Sequence, residues 1–165
     1  MSSYKSSMGV DGRPRALSHS GVDFIAEEGS AVLAVNHGRI VSYVDSPTGV
    51  GKCLLVRHTC QACATRVYFT SYCHLRSVVG IPGGFVKRGE RIGDAGNTGS
   101  YSMGIPHVHL TVCIFPCVAA AADGQFDGIL DPMMFDVGCF ESRTTYSDTN
   151  HGQPIHTHPI PCSGK

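Results

Sequence analysis

The sequence predicts an all-β, mainly antiparallel fold with a few short helical turns, and three observations carry that prediction. Twenty glycines and nine prolines punctuate the 165 residues at short intervals. The segments between them are brief and rich in Val, Ile, Tyr and Phe, which suit a pleated, half-buried surface. No segment has the sustained 3.6-residue periodicity of a long amphipathic helix.

In chain order, strands are read at residues 22–26, 31–35, 39–44, 53–57, 67–74, 91–95 and 107–115. The stretch from Cys53 to Leu75 reads as one long antiparallel hairpin, because two β-rich runs flank the polar connection 59–66. The alanine-rich run Val118–Asp123 and the run Asp131-Pro-Met-Met-Phe135 each suit a single helical turn, the second with proline near its start. After Phe135 the chain turns polar and contains Pro and His, bracketed by Cys139 and Cys162. The expected organisation is an N-terminal segment (1–17), one domain (18–136) and a tail (137–165) clamped back by a Cys139–Cys162 disulfide.

Composition narrows the function. With 42% apolar and 16% charged residues the chain can bury a core. Thirteen basic residues balance thirteen acidic ones, and the only basic runs are Lys87-Arg88 and the Arg13/Arg15 pair, so no nucleic-acid partner is expected. The longest apolar stretch, from Ile114 to Ala122, is broken by Pro116 and falls short of the roughly 20 residues of a membrane helix. The first eight residues contain no apolar core of a secretory signal.

Eight cysteines form an even set, which fits an oxidising compartment. Cys53 and Cys73 would face each other across the hairpin. Cys60-Gln-Ala-Cys63 has the spacing of half a zinc knuckle, but no second Cys-x-x-Cys completes it, so a disulfide or a pair of turn thiols is expected.

Among nine histidines, three stand in two tight groups, one of which also holds an aspartate. In His19-Ser-Gly-Val-Asp23, an extended backbone puts His19 and Asp23 on one face with only Gly21 between them. In His107-Val-His109-Leu110, the same period puts both imidazoles on one face and Val108 and Leu110 on the other. Together they offer up to four ligands to a divalent ion. A catalytic zinc is usually held by three protein groups with a fourth position open, so one imidazole would remain for proton transfer. His74, near a strand end, is another proton-transfer candidate. A cupin reading lacks the Glu after the His-x-His pair, a carbonic anhydrase reading leaves His19 and Asp23 unexplained, and His-Glu-x-x-His is absent.

The run Ser18-His-Ser-Gly-Val-Asp-Phe24, with Glu28-Gly-Ser-Ala-Val-Leu-Ala34 and Gly38-Arg-Ile-Val41, resembles the opening of the lysostaphin-type, or LytM-type, zinc metallopeptidases. Tyr72-Cys-His-Leu75, Val86-Lys-Arg-Gly-Glu-Arg-Ile-Gly93, Gly96-Asn-Thr-Gly99, His107-Val-His-Leu110 and Asp131-Pro132 continue the family order over roughly residues 18–135. The resemblance implies a two-layer, sandwich- or barrel-like β fold around a metal groove. It also implies one Zn2+ per chain bound by His19, Asp23 and His109, with His74 and His107 as catalytic histidines. All five positions are filled, which favours an active enzyme over the family's non-catalytic binding or regulatory domains. The long N-terminal segment whose Asn blocks zinc in latent members is not seen, so an open coordination position is expected. The cysteine-rich hairpin, the Cys113/Cys117 pair and the tail depart from the commoner pattern. The loops Gly80–Gly84 and Gly96–Tyr101 are expected to wall the groove, with Asn97 either a substrate contact or a plain turn residue. The implied substrate is the peptide part of bacterial peptidoglycan, a glycine-rich cross-bridge or a D-Ala-containing cross-link. A monomer acting as a secreted, periplasmic or cell-wall enzyme is expected.

Overall fold

The computed structural model describes residues 1–15, 18–64, 66–117, 126–147 and 149–162. The helical turn expected at Val118–Asp123 lies outside the described residues. The strands are β1 (Val22–Ile25), β2 (Ala31–Leu33), β3 (Gly38–Ser46), β4 (Gly51–Thr59), β5 (Val67–Leu75) and β6 (Ser77–Val78). They continue with β7 (Phe85–Val86), β8 (Arg91–Asp94), β9 (His107–Cys113), β10 (Ile129–Leu130), β11 (Thr149–Asn150) and β12 (Gln153–Pro154). Two single 3₁₀ turns, Ser100–Ser102 and Pro132–Met134, are the helical elements among the described residues. The second matches the expected turn: Asp131 caps it by accepting from the Met133 N–H, and Pro132 opens it.

The main sheet runs β1-β9-β5-β4-β3-β7, with β10 also on β9, and every pairing is antiparallel. A smaller sheet, β2-β8-β6, packs on it through one apolar cluster. Val32 and Ile92 of the small sheet meet Val22, Ile40, Leu54, Val56, Tyr72, Leu75, Val108 and Leu110 of the large one. This is the two-layer, mainly antiparallel all-β architecture that the resemblance implies.

Burial explains why the strands look different in sequence. Every residue of β9, and all but the first of β5, is buried, since the face away from the sandwich core is covered as well. These strands therefore lack a polar face, whereas β3 alternates buried with exposed or half-buried positions through its first half. The cysteines support that second face. Cys53/Cys73, Cys60/Cys63 and Cys113/Cys117 each lie as a pair at bonding distance inside a small apolar cluster, with Cα separations of 4.2, 5.3 and 6.0 Å. Cys139 and Cys162 also pair, at 5.9 Å between Cα atoms.

Both ends of the chain pack onto the sheets. The Asp23 N–H donates to Ser2 O and the Lys5 N–H to His19 O. The Leu33 N–H donates to Pro159 O and the Thr157 N–H to Val35 O. Arg88, read from sequence as half of a basic pair, is buried and donates to the carbonyls of Val35 and Ile155 and to Asn36 Oδ1.

Candidate metal centre

The site forms where β9 passes between β1 and β5. Across the sheet, His109 faces Asp23 on one side and Cys73 on the other. Val108 and Leu110 point into the sandwich core, as the His-x-His period requires, so both imidazoles share the opposite face.

His19 departs from the sequence reading in one respect. Strand β1 begins at Val22, so His19 lies in the irregular segment before it, and Ser20 and Gly21 bend the chain rather than extend it. Gly21 makes the bend possible, because a Cβ there would collide with the Leu110 carbonyl and with the His109 ring. The two residues still converge: His19 Nε2 lies 3.0 Å from Asp23 Oδ1 and 2.9 Å from His109 Nδ1, and His109 Nδ1 lies 2.9 Å from Asp23 Oδ1.

Hydrogen bonds determine which imidazole nitrogens carry protons. A carbonyl can only accept, so His19 Nδ1–H donates to Ser3 O (2.9 Å), His74 Nδ1–H to Thr98 O (2.9 Å) and His107 Nδ1–H to Ile105 O (2.7 Å). In the neutral rings, each Nε2 is left as a lone pair. The second nitrogen of His109 bonds to Thr111 Oγ1 at 2.9 Å. The second Asp23 oxygen takes an ion pair from Arg15 Nη2 at 2.7 Å, with the carboxylate almost fully buried.

Charge and burial act in opposite directions here. Burial opposes ionisation of Asp23, but the bonds and charges of His109 and His19 outweigh it and hold the carboxyl well below its usual range. His74 is pushed down to about 3, by burial first and then by the charges of His109 and His107. His107 and His109 are also lowered by burial, with Asp23 partly offsetting the effect. Both remaining histidines are thus proton acceptors at neutral pH. The His107 and His74 rings lie 4.7 Å apart between centroids, and His74 is 6.0 Å from His109.

His74 occupies unusual backbone. At the end of β5 the pairing with β4 shifts, Lys52 facing Leu75 and Leu54 facing Tyr72, so Cys53 alone spans Cys73 and His74. His74 takes φ 65°, rare for a non-glycine residue, and is held by its N–H to Val50 O and by the Thr98 N–H to its own carbonyl. Asn97 sits half-buried beside Gly96, whose carbonyl accepts the His107 N–H.

The donor set fits a metal ion. In neutral rings His19 Nε2 is a lone pair beside the Asp23 carboxylate, and these two groups and His109 Nδ1 lie within 3.0 Å of one another with at most one proton to share. A single cation relieves that crowding of lone pairs, and two nitrogens and an oxygen suit a tetrahedral divalent ion with one position open. The sequence reading did not find Arg15 or the carbonyls of Ser3, Thr98 and Ile105. Arg15 carried a faint signal as part of a basic pair, whereas a backbone carbonyl carries none.

The tail histidines do not repeat this arrangement. His156 is buried among Tyr68, His58 and Phe135, while His158 turns to Asp136.

The catalytic domain of lysostaphin from Staphylococcus simulans superimposes with a TM-score of 0.64 at 28% identity, over 82% of this chain and 89% of that one. A zinc-containing peptidase from Vibrio cholerae gives 0.54 at 31% identity, over 68% of this chain and 32% of its own. An uncharacterised metalloprotease of Haemophilus influenzae is 39% identical across 61% of this chain, and the peptidoglycan DD-endopeptidase ShyB of Vibrio cholerae is 32% identical across 61%. The chain spans about a fifth of the length of these relatives, 19% and 21%. The profile of peptidase family M23 matches residues 17–115, more than half of the sequence and every residue of the site from His19 to His109, and the chain belongs to that family.

Proposed function

We propose that the protein is a zinc-dependent endopeptidase that hydrolyses peptide cross-links or cross-bridges of bacterial peptidoglycan. The observation that carries this reading is the convergence of His19 Nε2, Asp23 Oδ1 and His109 Nδ1, with His74 and His107 beside them, each pinned through Nδ1 to a carbonyl. His19, Asp23 and His109 would hold one Zn2+. When bound, zinc supplies Lewis acidity, lowering the pKa of a water from about 15.7 to near 7 and polarising a carbonyl oxygen. The chain's own groups do the rest. His74 and His107 offer unprotonated Nε2 atoms that accept a proton from the attacking water and pass it to the leaving amine. Before this proton is passed on, the ring that carries it donates it as a hydrogen bond to the oxygen on which negative charge develops. Arg15, paired to the outer oxygen of Asp23, keeps the inner oxygen turned toward the two imidazoles. The Asn97 side chain makes no hydrogen bond to a described residue and is the substrate contact assigned to the groove wall.

The same reading extends to setting. The four cysteine pairs are assigned as disulfides of a monomeric enzyme acting in the periplasm, the cell wall or the medium, with residues 18–136 as the catalytic domain and 137–165 as a clamped tail. No helix among the described residues is long and apolar enough to cross a membrane. The test is mass spectrometry of purified sacculi, glycine-bridged and directly cross-linked, incubated with the protein. New peptide termini that vanish with chelator and return with zinc are expected and identify the bond; intact sacculi beside zinc-loaded protein would overturn the reading.

A further inference from the structure

We propose that Cys139, Cys162 and His158 form a second metal site, opened by reduction of the tail clamp and independent of the peptidase reading. The two sulfurs and the His158 ring nitrogen all lie within 4.8 Å of one another. His158 Nε2 meets Asp136 Oδ2 at 3.0 Å, and a carboxylate only accepts, so Nε2 carries the proton. In the neutral ring Nδ1 is then a lone pair, 3.9 Å from Cys139 Sγ and 3.7 Å from Cys162 Sγ. Sulfurs joined to each other offer that lone pair no hydrogen. Thiolates with a cation between them satisfy it, and carboxylate–imidazole–metal is the arrangement that orients histidine ligands elsewhere. Asp136 is itself fixed, because its other oxygen accepts the Gly138 N–H.

Two thiolates and one imidazole suit a borderline-soft divalent ion such as zinc, whose charge the thiolates balance. Cys162 is exposed, so water can fill the fourth position. A dithiol reductant gives two electrons and two protons to the Cys139–Cys162 bond and leaves as its own disulfide; the two thiols then release two protons as the metal binds. The His158 ring packs on Phe24, at 5.3 Å between centroids, so the loaded site would hold the tail against the residue that follows Asp23 in β1.

The test uses the full chain, reduced with a dithiol, freed of reductant without air and titrated with cobalt(II). Expected is a near-ultraviolet thiolate-to-cobalt charge-transfer band. The oxidised protein should lack it, and so should the first site, whose donors are nitrogen and oxygen. The band should persist in Cys60→Ala/Cys63→Ala and vanish in Cys139→Ser/Cys162→Ser. Asp136→Asn and His158→Gln, each checked for native circular dichroism, should weaken cobalt binding by about 10-fold or more. No band in the reduced protein, or a band that survives loss of both tail cysteines, would overturn the proposal. Either result leaves cleavage of sacculi untouched.

Discussion

The protein holds two buried histidine clusters, and they are built on opposite principles. At the candidate metal centre, His19, His74 and His107 each spend one nitrogen on a backbone carbonyl, and the second nitrogens of His19 and His107 face the Asp23 carboxylate at 3.0 and 3.5 Å. In the second cluster, His58 spends both nitrogens, on His37 O and Thr70 Oγ1, and stacks on Tyr68 at 4.7 Å. His156, next to it, is fully buried with neither nitrogen hydrogen-bonded among the described residues. Burial and aromatic contact are common to both. What separates a chemical site from a structural one is whether unspent lone pairs converge on an anion.

Substitutions sharpen that contrast, beginning with the largest effect. His109→Ala should lose bound zinc and peptidase activity together, read by metal analysis and by release of peptides from sacculi. His107→Ala should keep most of the zinc and lose activity by about 10²- to 10⁴-fold, the range for a general acid–base group. Equal zinc loss in the two variants would break the division between ligand and proton carrier. Arg15→Met, which removes the ion pair to the outer oxygen of Asp23 along with the donations to Met8 O and Ser2 Oγ, should weaken zinc binding by roughly 10- to 100-fold in a chelator competition.

The structural cluster should respond to pH instead of metal. Burial, reinforced by the Arg88 charge and partly offset by the bond to His37 O, lowers His58 to about 4 from 6.5, and His156 also lies well below 6.5. The unfolded chain therefore takes up protons first as pH falls. Stability is full above about 6.5 and declines as pH drops toward 4, by up to about 3 kcal/mol from His58. Denaturant midpoints measured across that window should fall with pH. His156→Phe, which removes two unpartnered nitrogens, should make the decline shallower and raise stability at neutral pH by about 1 kcal/mol. A pH profile identical to that of the unaltered protein would remove His156 from this account.

Much of the fold was legible because turn residues and β-rich runs alternate so regularly. All seven expected strands form, each with both ends within two residues of the predicted ones. The short strands β6, β7, β10, β11 and β12 were not anticipated, since two-residue pairings are made by neighbours and leave no period in the chain. His107 and His109 were legible as a pair because a strand fixes which side chains share a face. His19 was found by its spacing to Asp23, although the backbone between them bends.

Residue type and local two-residue geometry suffice for the strand content, the shared face of the His-x-His pair and the choice of candidate donors. Tertiary structure decided the rest. Only the pairing of β1 with β9 brings atoms 86 and 90 residues apart in sequence to within 3.0 Å. Only the carbonyls of Ser3, Thr98 and Ile105 decide which nitrogen of each imidazole keeps its proton, and those groups are the same in every residue until the fold gives them a place.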